Sequence, residues 1–252
     1  AGAAFLSACA AYTVGAGLVQ IYTASENRLA LQELLPEAII SCYDSYDDSQ
    51  LSHLLDWADV VCIGCGLGMG QISEKILKNV LKNVSCPCVI DADGLNLLSR
   101  NIELLNQCCA PVILTPHMKE MSRLTGWSID TIMEDRFQAL DQIIKQSGPD
   151  TKSSIICVLK DSRTVVAQTN RQRFVNLAGN NSMAKGGSGD VLAGTIAGLL
   201  AQHMAPFEAT TVGVFLHACG GDEAKKSKGS YSVLARDLIQ GMADAMKNAK
   251  EC

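Results

Sequence analysis

Gly179-Asn-Asn-Ser-Met-Ala-Lys-Gly-Gly-Ser-Gly-Asp190 is a loop of glycines and small polar residues that runs directly into the apolar segment Val191-Leu-Ala-Gly-Thr-Ile-Ala-Gly-Leu-Leu200. The pattern predicts a loop followed by a buried helix. Free backbone N–H groups at the first turn of such a helix, supported by its dipole, bind phosphate or a developing anion. Asp190 would lie beside that site. From these residues alone, an equally good interpretation is a surface loop in which Ser188 or Asp190 caps the helix.

Two common nucleotide-binding motifs do not fit the chain. A Walker A loop that starts at Gly179 has Ala184 in place of its second glycine. Residues 64–70 join a strand-like segment to a helix, as a dinucleotide fingerprint does, but the third glycine of that motif falls on Met69 or Gln71. We therefore expect residues 64–70 to form a tight turn that approaches a ligand at the end of a strand.

Composition limits the class of protein. The 252 residues are 48% hydrophobic and 19% charged, which indicates a globular chain long enough for one large α/β domain. A net charge of −5 without a long basic run argues against nucleic-acid binding, and no apolar run approaches the roughly 20 residues that span a membrane. Eleven scattered cysteines favour a reduced, cytoplasmic protein. Cys62 and Cys65 have the spacing of half a zinc site, but no second pair stands at ribbon spacing.

Strands and helices alternate along most of the sequence, which predicts a mostly parallel sheet covered by helices on both faces. We expect a single domain over residues 1–252, with an antiparallel hairpin between residues 165–168 and 173–176. The expected strands cover residues 18–23, 38–43, 59–64, 88–91, 111–115 and 154–159. The expected helices cover residues 3–14, 25–35, 49–57, 71–82, 128–146, 191–204, 206–226 and 232–247.

Polar residues follow several of these strands. Asp91 and Asp93 can bind magnesium through water or cap the next helix, and capping is the commoner role, which Asp93 fits well. His117 and Glu120 are placed to point to one side of a first helical turn. Residues 160–164 form a hairpin turn whose charges are either simply solvated or donate to a phosphate.

Five motifs occur in an order and spacing that resemble the ADP-dependent NAD(P)H-hydrate dehydratases, a branch of the ribokinase-like superfamily. The similarity covers essentially the whole chain. The motifs are Gly64-Cys-Gly-Leu-Gly68, Asp91-Ala-Asp-Gly-Leu-Asn96, Leu114-Thr-Pro-His-Met-Lys-Glu120, Val158-Leu-Lys-Asp-Ser-Arg-Thr164 and the loop that ends at Asp190.

The resemblance implies a three-layer αβα sandwich and a repair reaction on hydrated NADH or NADPH (the S epimer). The ring hydroxyl would be phosphorylated from ADP or ATP with Mg²⁺, and loss of phosphate would restore the double bond. Asp190 would be the catalytic base, and the metal ligands stay unassigned. The implied substrate-binding residues are Ala3, Gly66, Gly68, His117 and Asp190; the nucleotide-binding residues are Lys160, Asp161, Ser162, Arg163, Thr164 and Gly189; and the anion hole is Gly187, Ser188 and Gly189.

The resemblance also sets expectations about the whole protein. The family begins with a strand and a glycine-rich turn before its first helix, so we expect this chain to lack that N-terminal strand. An epimerase for the hydrated cofactor is an expected partner, either fused before residue 1 or separate. We also expect a homo-oligomer, with a tetramer favoured over other assemblies. The family often has Pro where Cys65 stands, and Lys185 is a departure that adds a cation beside the loop.

Two alternatives stay open at this point. One is a small-molecule kinase of the same superfamily, acting on a thiazole or pyrimidine alcohol, which would release a stable phosphoester. The other is a nucleotide-binding module without turnover. The dehydratase would instead yield free phosphate and reduced cofactor.

Overall fold

The computed structural model describes residues 1–145, 154–169 and 172–249. The strands are β1 (Gln20–Ala24), β2 (Ile39–Tyr43), β3 (Val61–Ile63), β4 (Cys88–Ile90), β5 (Val112–Leu114), β6 (Ile155–Leu159), β7 (Val165–Gln168) and β8 (Arg173–Val175). The helices are α1 (Gly2–Thr13), α2 (Arg28–Leu34), α3 (Asp48–Trp57), α4 (Gln71–Asn83), α5 (Ala92–Leu98), α6 (Met118–Thr125), α7 (Ile129–Glu134), α8 (Arg136–Ile144), α9 (Ser188–Ala201), α10 (Pro206–Ser232) and α11 (Ala235–Asn248).

The strands form two sheets within the described residues. The larger sheet has the order β3-β4-β5-β6-β7-β8, and its first four strands are parallel. β7 and β8 are antiparallel, which confirms the predicted hairpin. The smaller sheet is a parallel pair of β1 and β2, separate from the larger one. The sequence analysis predicted one sheet, so the separation of β1 from β3 is a difference that local patterns did not show.

Alternation along the strands divides the core between two helical layers. Ile90 and Leu114 point to the layer that contains α3 to α8. Val89 and Ile113, their immediate neighbours, point to α9 and α10. Because successive side chains of a strand lie on opposite faces, a fully apolar strand must be buried on both sides. The three-layer αβα sandwich is therefore confirmed.

Small residues allow α1 and α9 to pack closely. A Cβ atom at Gly198 would lie only 2.7 Å from the Ala11 carbonyl oxygen, so the two backbones nearly touch. This contact fixes α9, and with it the first turn that carries Asp190. No helix in the described part of the chain combines the length and apolarity needed to cross a membrane.

The prediction of a single helix over residues 128–146 is wrong, because the chain forms two helices there, α7 and α8. Asp135 has an extended backbone (φ −144°, ψ 91°), and its side chain accepts a hydrogen bond from the Gln138 N–H at 2.9 Å. An aspartate that caps a new helix competes with continuation of the preceding one. The chain therefore turns between α7 and α8; residue 146 lies outside the described residues.

The end of β3 packs directly on the end of β4, and Gly64 makes this possible. Gly64 has φ +116°, and a Cβ atom there would overlap the Asp91 carbonyl oxygen and lie 2.8 Å from the Gly94 nitrogen. We expect Gly64→Ala to lower the free energy of unfolding by more than about 3 kcal/mol, because strain and overlap add. Urea denaturation measures the change.

Gly17→Ala is the matched control for that substitution. A Cβ atom at Gly17 meets nothing within 4 Å, so its effect should stay within about 0.5 kcal/mol. Equal stabilities of the two variants would contradict the close approach of β3 and β4.

Candidate active site

The carboxyl ends of the parallel strands meet the start of α9. Cys65 follows β3, Asp91 follows β4 and Lys160 follows β6, while Asp190 lies in the first turn of α9. Sites in open α/β sheets form at this edge, because loops from several strands converge there. The convergence brings together residues up to 125 positions apart in the sequence.

A buried ion pair lies at the centre of the site. Lys160 Nζ is 2.6 Å from Asp91 Oδ1, with side-chain exposures of 18% and 2%. Glu120 Oε2 is 4.0 Å from the same ammonium group, and burial raises the pKa of Glu120. Lys160 thus turns inward, whereas Asp161 and Arg163 lie in an exposed turn. Arg136 binds that turn through the Asp161 carboxylate at 3.3 Å and the Arg163 carbonyl.

Asp190 lies among other acidic groups. Its carboxylate, the Asp91 carboxylate and the Cys65 thiol have ligand atoms within 4.8 Å of one another. Burial raises the pKa of Asp190, Asp91 adds to the shift, and a hydrogen bond from Cys65 opposes it. A hydrogen bond with Cys62, followed by burial, raises the pKa of the Cys65 thiol. Cys65 is therefore a neutral thiol next to a partly desolvated carboxylate.

The start of α9 has no side-chain cap. Gly187 occupies the N-cap position with φ 91°, and the Ser188 N–H donates to the Lys185 carbonyl at 3.2 Å. The N–H groups of Gly187, Gly189 and Asp190 have no acceptor among residues 1–145, 154–169 and 172–249. The interpretation of Ser188 or Asp190 as a cap is thus wrong. The free donors are those that an anion needs.

Two glycines of the loop leave little room for a side chain. A Cβ atom at Gly189 would lie 3.1 Å from Lys160 Nζ and 3.3 Å from Asp91 Oδ2. A Cβ atom at Gly187 would lie 2.6 Å from a Leu6 side-chain carbon. The loop backbone therefore rests directly on the ion pair. Lys185 points elsewhere, since its ammonium group donates to the Tyr231 carbonyl at 3.1 Å.

His117 is held by a capping box at the start of α6. Its Nδ1 accepts from the N–H groups of Lys119 and Glu120, at 3.1 and 3.2 Å, and Glu120 accepts from the His117 N–H at 2.8 Å. This confirms that His117 and Glu120 point to one side. Burial, followed by the charge of Lys160, lowers the pKa of His117. The ring is thus neutral and half-exposed, and its Nε2 lies 3.4 Å from Glu120 Oε1.

The loop after β3 is tied to α5. The Gly68 N–H donates to Asp93 Oδ2 at 2.8 Å, so the prediction that Asp93 caps its own helix is wrong. The N-cap of α5 is Asp91, whose carboxylate is turned to Lys160 instead. A Cβ atom at Gly66 would lie 3.2 Å from the Ala3 Cβ, so these two predicted substrate-side residues are neighbours.

Sequence reasoning missed three residues of the site. Asp91 was weighed only as a cap or magnesium ligand, and Cys65 only as half of a zinc pair or as a departure from the family. His217 was given no role, but it is buried and its Nε2 lies 3.3 Å from the Ser188 hydroxyl. The local signal for Asp91 in the sequence is that its carboxylate directly follows an apolar strand.

Comparison with known proteins decides the family. A family model described as NAD(P)H-hydrate dehydratase matches residues 1–243. The chain belongs to the NAD(P)H-hydrate dehydratase family. Solved structures of NAD(P)H-hydrate dehydratases and of a ribokinase-like protein align over almost the whole chain, which confirms the ribokinase-like fold.

Individual relatives of this dehydratase family differ in length. The bifunctional NAD(P)H-hydrate repair enzyme Nnr of Moorella thermoacetica is 34% identical over 99% of the chain and 48% of the relative. The ADP-dependent (S)-NAD(P)H-hydrate dehydratase of Neisseria meningitidis is 35% identical over 98% of the chain and 81% of the relative. The chain thus spans about half the length of the bifunctional enzyme.

One solved relative was crystallised with a nucleotide. The ADP/ATP-dependent NAD(P)H-hydrate dehydratase of Bacillus subtilis was co-crystallised with ATP and Mg²⁺ and soaked with CoA. It aligns with a TM-score of 0.83 at 27% identity, over 99% of this chain and 87% of the relative.

His217 makes the stability of this member of the family depend on pH. Burial lowers the pKa of His217 to about 4, below its ordinary value of 6.5. The unfolded chain therefore binds a proton that the folded chain excludes, and stability falls as the pH drops from 6.5 to about 4. The loss is about 3 kcal/mol at its largest.

The variant His217→Gln retains a polar atom near Ser188 but has no imidazole to protonate. Its stability should therefore fall less than that of the unaltered protein between about pH 7 and about pH 4. Denaturation of both proteins at about pH 7 and about pH 4 measures it. A stability difference between the two proteins that is the same at both pH values would contradict the account.

Proposed function

We propose that this chain catalyses the ADP-dependent dehydration of the S epimer of hydrated NADH or NADPH, which restores the reduced cofactor. The observation that carries the proposal is the position of Asp190: it lies within the first turn of α9, between unpartnered backbone N–H groups and the Lys160–Asp91 pair. Those groups provide a base, an anion site and a cation in one place. The names of the similar dehydratases support the same reaction.

Asp190 would accept the proton of the ring hydroxyl as that oxygen attacks the terminal phosphoryl group. The new O–P bond forms while the bond to the nucleotide leaving group breaks. Loss of phosphate and of a neighbouring ring proton then restores the double bond. A raised pKa suits the role, because a carboxylate that is partly desolvated is a stronger base.

Backbone donors would stabilise the transferring phosphoryl group. The N–H groups of Gly187 and Gly189 are free for this purpose, whereas that of Ser188 already binds Lys185. Phosphoryl transfer depends on positioning and charge neutralisation more than on a strong nucleophile. Lys160, directly beneath Gly189, supplies the positive charge.

The nucleotide would lie against Lys160, Gly189 and the exposed turn of residues 161–164. The donor groups of Ser162 and Arg163 are accessible there, whereas the Thr164 hydroxyl donates to the Asp161 carbonyl at 3.3 Å. Arg136 steadies the turn through the Asp161 carboxylate. Either ADP or ATP satisfies this arrangement, since the site recognises the phosphates through backbone groups and one lysine.

The residues fit a Mg²⁺ ion that arrives on the nucleotide phosphates. Mg²⁺ prefers oxygen ligands and retains several waters, so one or two carboxylates are enough. Asp190 and Asp91 are the carboxylates of the site, although Lys160 already neutralises Asp91. The Cys65 thiol is a soft ligand that Mg²⁺ does not favour. When bound, the ion supplies charge neutralisation of the phosphates.

The hydrated cofactor would bind on the side of Asp190 formed by Ala3, Gly66, Gly68 and His117. Gly66 and Gly68 have positive φ angles of 72° and 79°, which glycine adopts without strain. Gly66 is exposed, whereas the Gly68 N–H already donates to Asp93. His117 would donate from Nε2 to a carbonyl or hydroxyl oxygen of the substrate in exchange for its present contact with Glu120 Oε1, at 3.4 Å.

The cellular setting forms a further part of the proposal. Relatives twice as long are named bifunctional repair enzymes, which supports an epimerase partner, either fused or separate. The cysteines of the described residues are all free thiols, which supports a reducing cytoplasmic location. We also propose a homo-oligomer, with a tetramer favoured over other assemblies. Light scattering measures the mass of the assembly.

Incubation with hydrated NADH, ADP and Mg²⁺ should regenerate the absorbance of reduced nicotinamide and release phosphate. A stable phosphoester product would instead indicate a small-molecule kinase, and nucleotide binding without any product would indicate a regulatory module. Asp190→Asn should reduce turnover by about 10²- to 10⁴-fold, because the base is lost.

Stability separates loss of the base from loss of the fold. A carboxyl group whose pKa is raised by folding destabilises the folded chain above that pKa, so Asp190→Asn should be at least as stable as the unaltered protein at about pH 7. That advantage should disappear at acidic pH, where Asp190 is protonated. Turnover near that of the unaltered protein, or a clearly less stable variant, would contradict the role of Asp190.

A further inference from the structure

The end of β3 carries two thiols that the proposed reaction does not use. Cys62 lies within β3, and Cys65 lies in the turn that follows it. Both side chains pack against the core between the sheet and α9. A hydrogen bond joins the Cys65 thiol to Cys62, whose sulfur lies 3.6 Å from the Ser7 hydroxyl. The two sulfur atoms are therefore neighbours at the edge of the sheet where the site lies.

Two carboxylates, and not a second pair of cysteines, complete this group. The Cys65 sulfur and one oxygen each of Asp91 and Asp190 lie within 4.8 Å of one another. In the part of the chain that the structure describes, no other group of three Cys, His or acidic side chains is placed to hold a metal ion. The carboxylates follow Cys65 by 26 and 125 positions, so no spacing rule in the sequence joins them to it.

The three ligand atoms are close to the arrangement that Zn²⁺ requires. Zinc bonds of about 2.3 Å to sulfur and about 2.1 Å to oxygen place tetrahedral ligand atoms about 3.6 Å apart. Cys65 and Asp190 are at partly exposed positions, where small side-chain rotations bring the ligand atoms to that spacing. Three protein ligands leave a fourth position open for water.

Asp91 can bind such an ion without losing its lysine. Lys160 Nζ bonds to Oδ1 of Asp91 at 2.6 Å. Oδ2 of Asp91 faces the first turn of α9, because a Cβ atom at Gly189 would lie 3.3 Å from it. One thiolate and two carboxylates carry three negative charges, which a divalent ion and the Lys160 ammonium group neutralise together. Buried charges persist where they are compensated in this way.

The sulfur atom decides which metal the group favours. Mg²⁺ takes oxygen ligands, whereas Zn²⁺ also binds thiolates strongly. The hydrogen bond from the neighbouring Cys62 orients the Cys65 sulfur, and such outer contacts commonly strengthen a metal site.

We propose that Cys65, Asp91 and Asp190 form a binding site for Zn²⁺, which differs from a magnesium site in its sulfur ligand. Cys65 binds as the thiolate, and its proton is released to water. The bound ion occupies the carboxylate of Asp190, which then cannot accept a proton from a substrate. Zinc therefore inhibits turnover, and this consequence, unlike the site itself, rests on the proposed function.

Titration with Co²⁺, a spectroscopic substitute for Zn²⁺, tests the site while all thiols are kept reduced. A cobalt–thiolate bond gives a charge-transfer band in the near ultraviolet, which should saturate at a single ion per chain. An equal amount of Zn²⁺ should remove the band, because it occupies the same ligands. Mg²⁺ in about 100-fold excess should leave the band in place, because Mg²⁺ does not favour sulfur.

Two cysteine variants locate the bound ion. Cys65→Ala should lose the band and bind Zn²⁺ at least about tenfold more weakly by calorimetry, because a thiolate ligand is gone. Cys109→Ala is the matched control, since it removes an exposed thiol outside the group and should bind Co²⁺ as the unaltered protein does. No band in the unaltered protein, or an undiminished band in Cys65→Ala, would overturn the proposed site.

Turnover with ADP and excess Mg²⁺ tests the inhibition. A slight excess of Zn²⁺ over protein should lower the rate at least about tenfold, and removal of zinc by a chelator should restore it. Cys65→Ala, compared with its own rate without zinc, should need at least about tenfold more Zn²⁺ for the same loss. An undiminished rate in zinc-loaded protein would overturn the inhibition. No turnover under any condition would count against the proposed reaction alone, because the cobalt spectrum needs no substrate.

Discussion

The ion pair between Lys160 and Asp91 is the interaction on which the arrangement of the site depends. It joins the end of β6 to the end of β4, and the backbone of Gly189 rests on it. Removal of one member of such a buried pair typically costs about 3–5 kcal/mol, since the other charge is left without a partner. The loop of residues 179–190 is therefore supported by an electrostatic contact and not by packing alone.

The same pair explains the electrostatic balance around Asp190. Asp91 and Asp190 lie close together, and Lys160 is the cation that bonds directly to Asp91. Burial and the neighbouring Asp91 raise the pKa of Asp190, which makes the carboxylate costly to ionise and more basic when ionised. Functional sites commonly contain such partly desolvated charged groups, because an arrangement that favours catalysis often lowers the stability of the fold.

Local sequence patterns predicted most of the strands and helices and placed Asp190 at the start of a buried helix. A short apolar run rich in β-branched residues, such as residues 155–159, favours a central strand. A glycine loop before an apolar helix predicts an anion site. Contacts between residues that are far apart in the sequence leave no local pattern from which to predict them. Asp93 binds Gly68, 25 positions earlier, and Lys160 binds Asp91, 69 positions earlier. The separation of β1 from β3 was equally hidden, because strand order depends on tertiary packing.

Calorimetry with ADP tests most directly whether this pair supports the proposed phosphate site. It compares the ADP affinity of Lys160→Met with that of the double variant Lys160→Met/Asp91→Asn. The account predicts that Lys160→Met loses stability and binds ADP at least about tenfold more weakly, about 1.4 kcal/mol. The double variant should regain stability, because the Asp91 charge no longer lacks its cation, but it should not regain affinity. ADP affinity within about twofold of the unaltered protein in both variants would contradict the account.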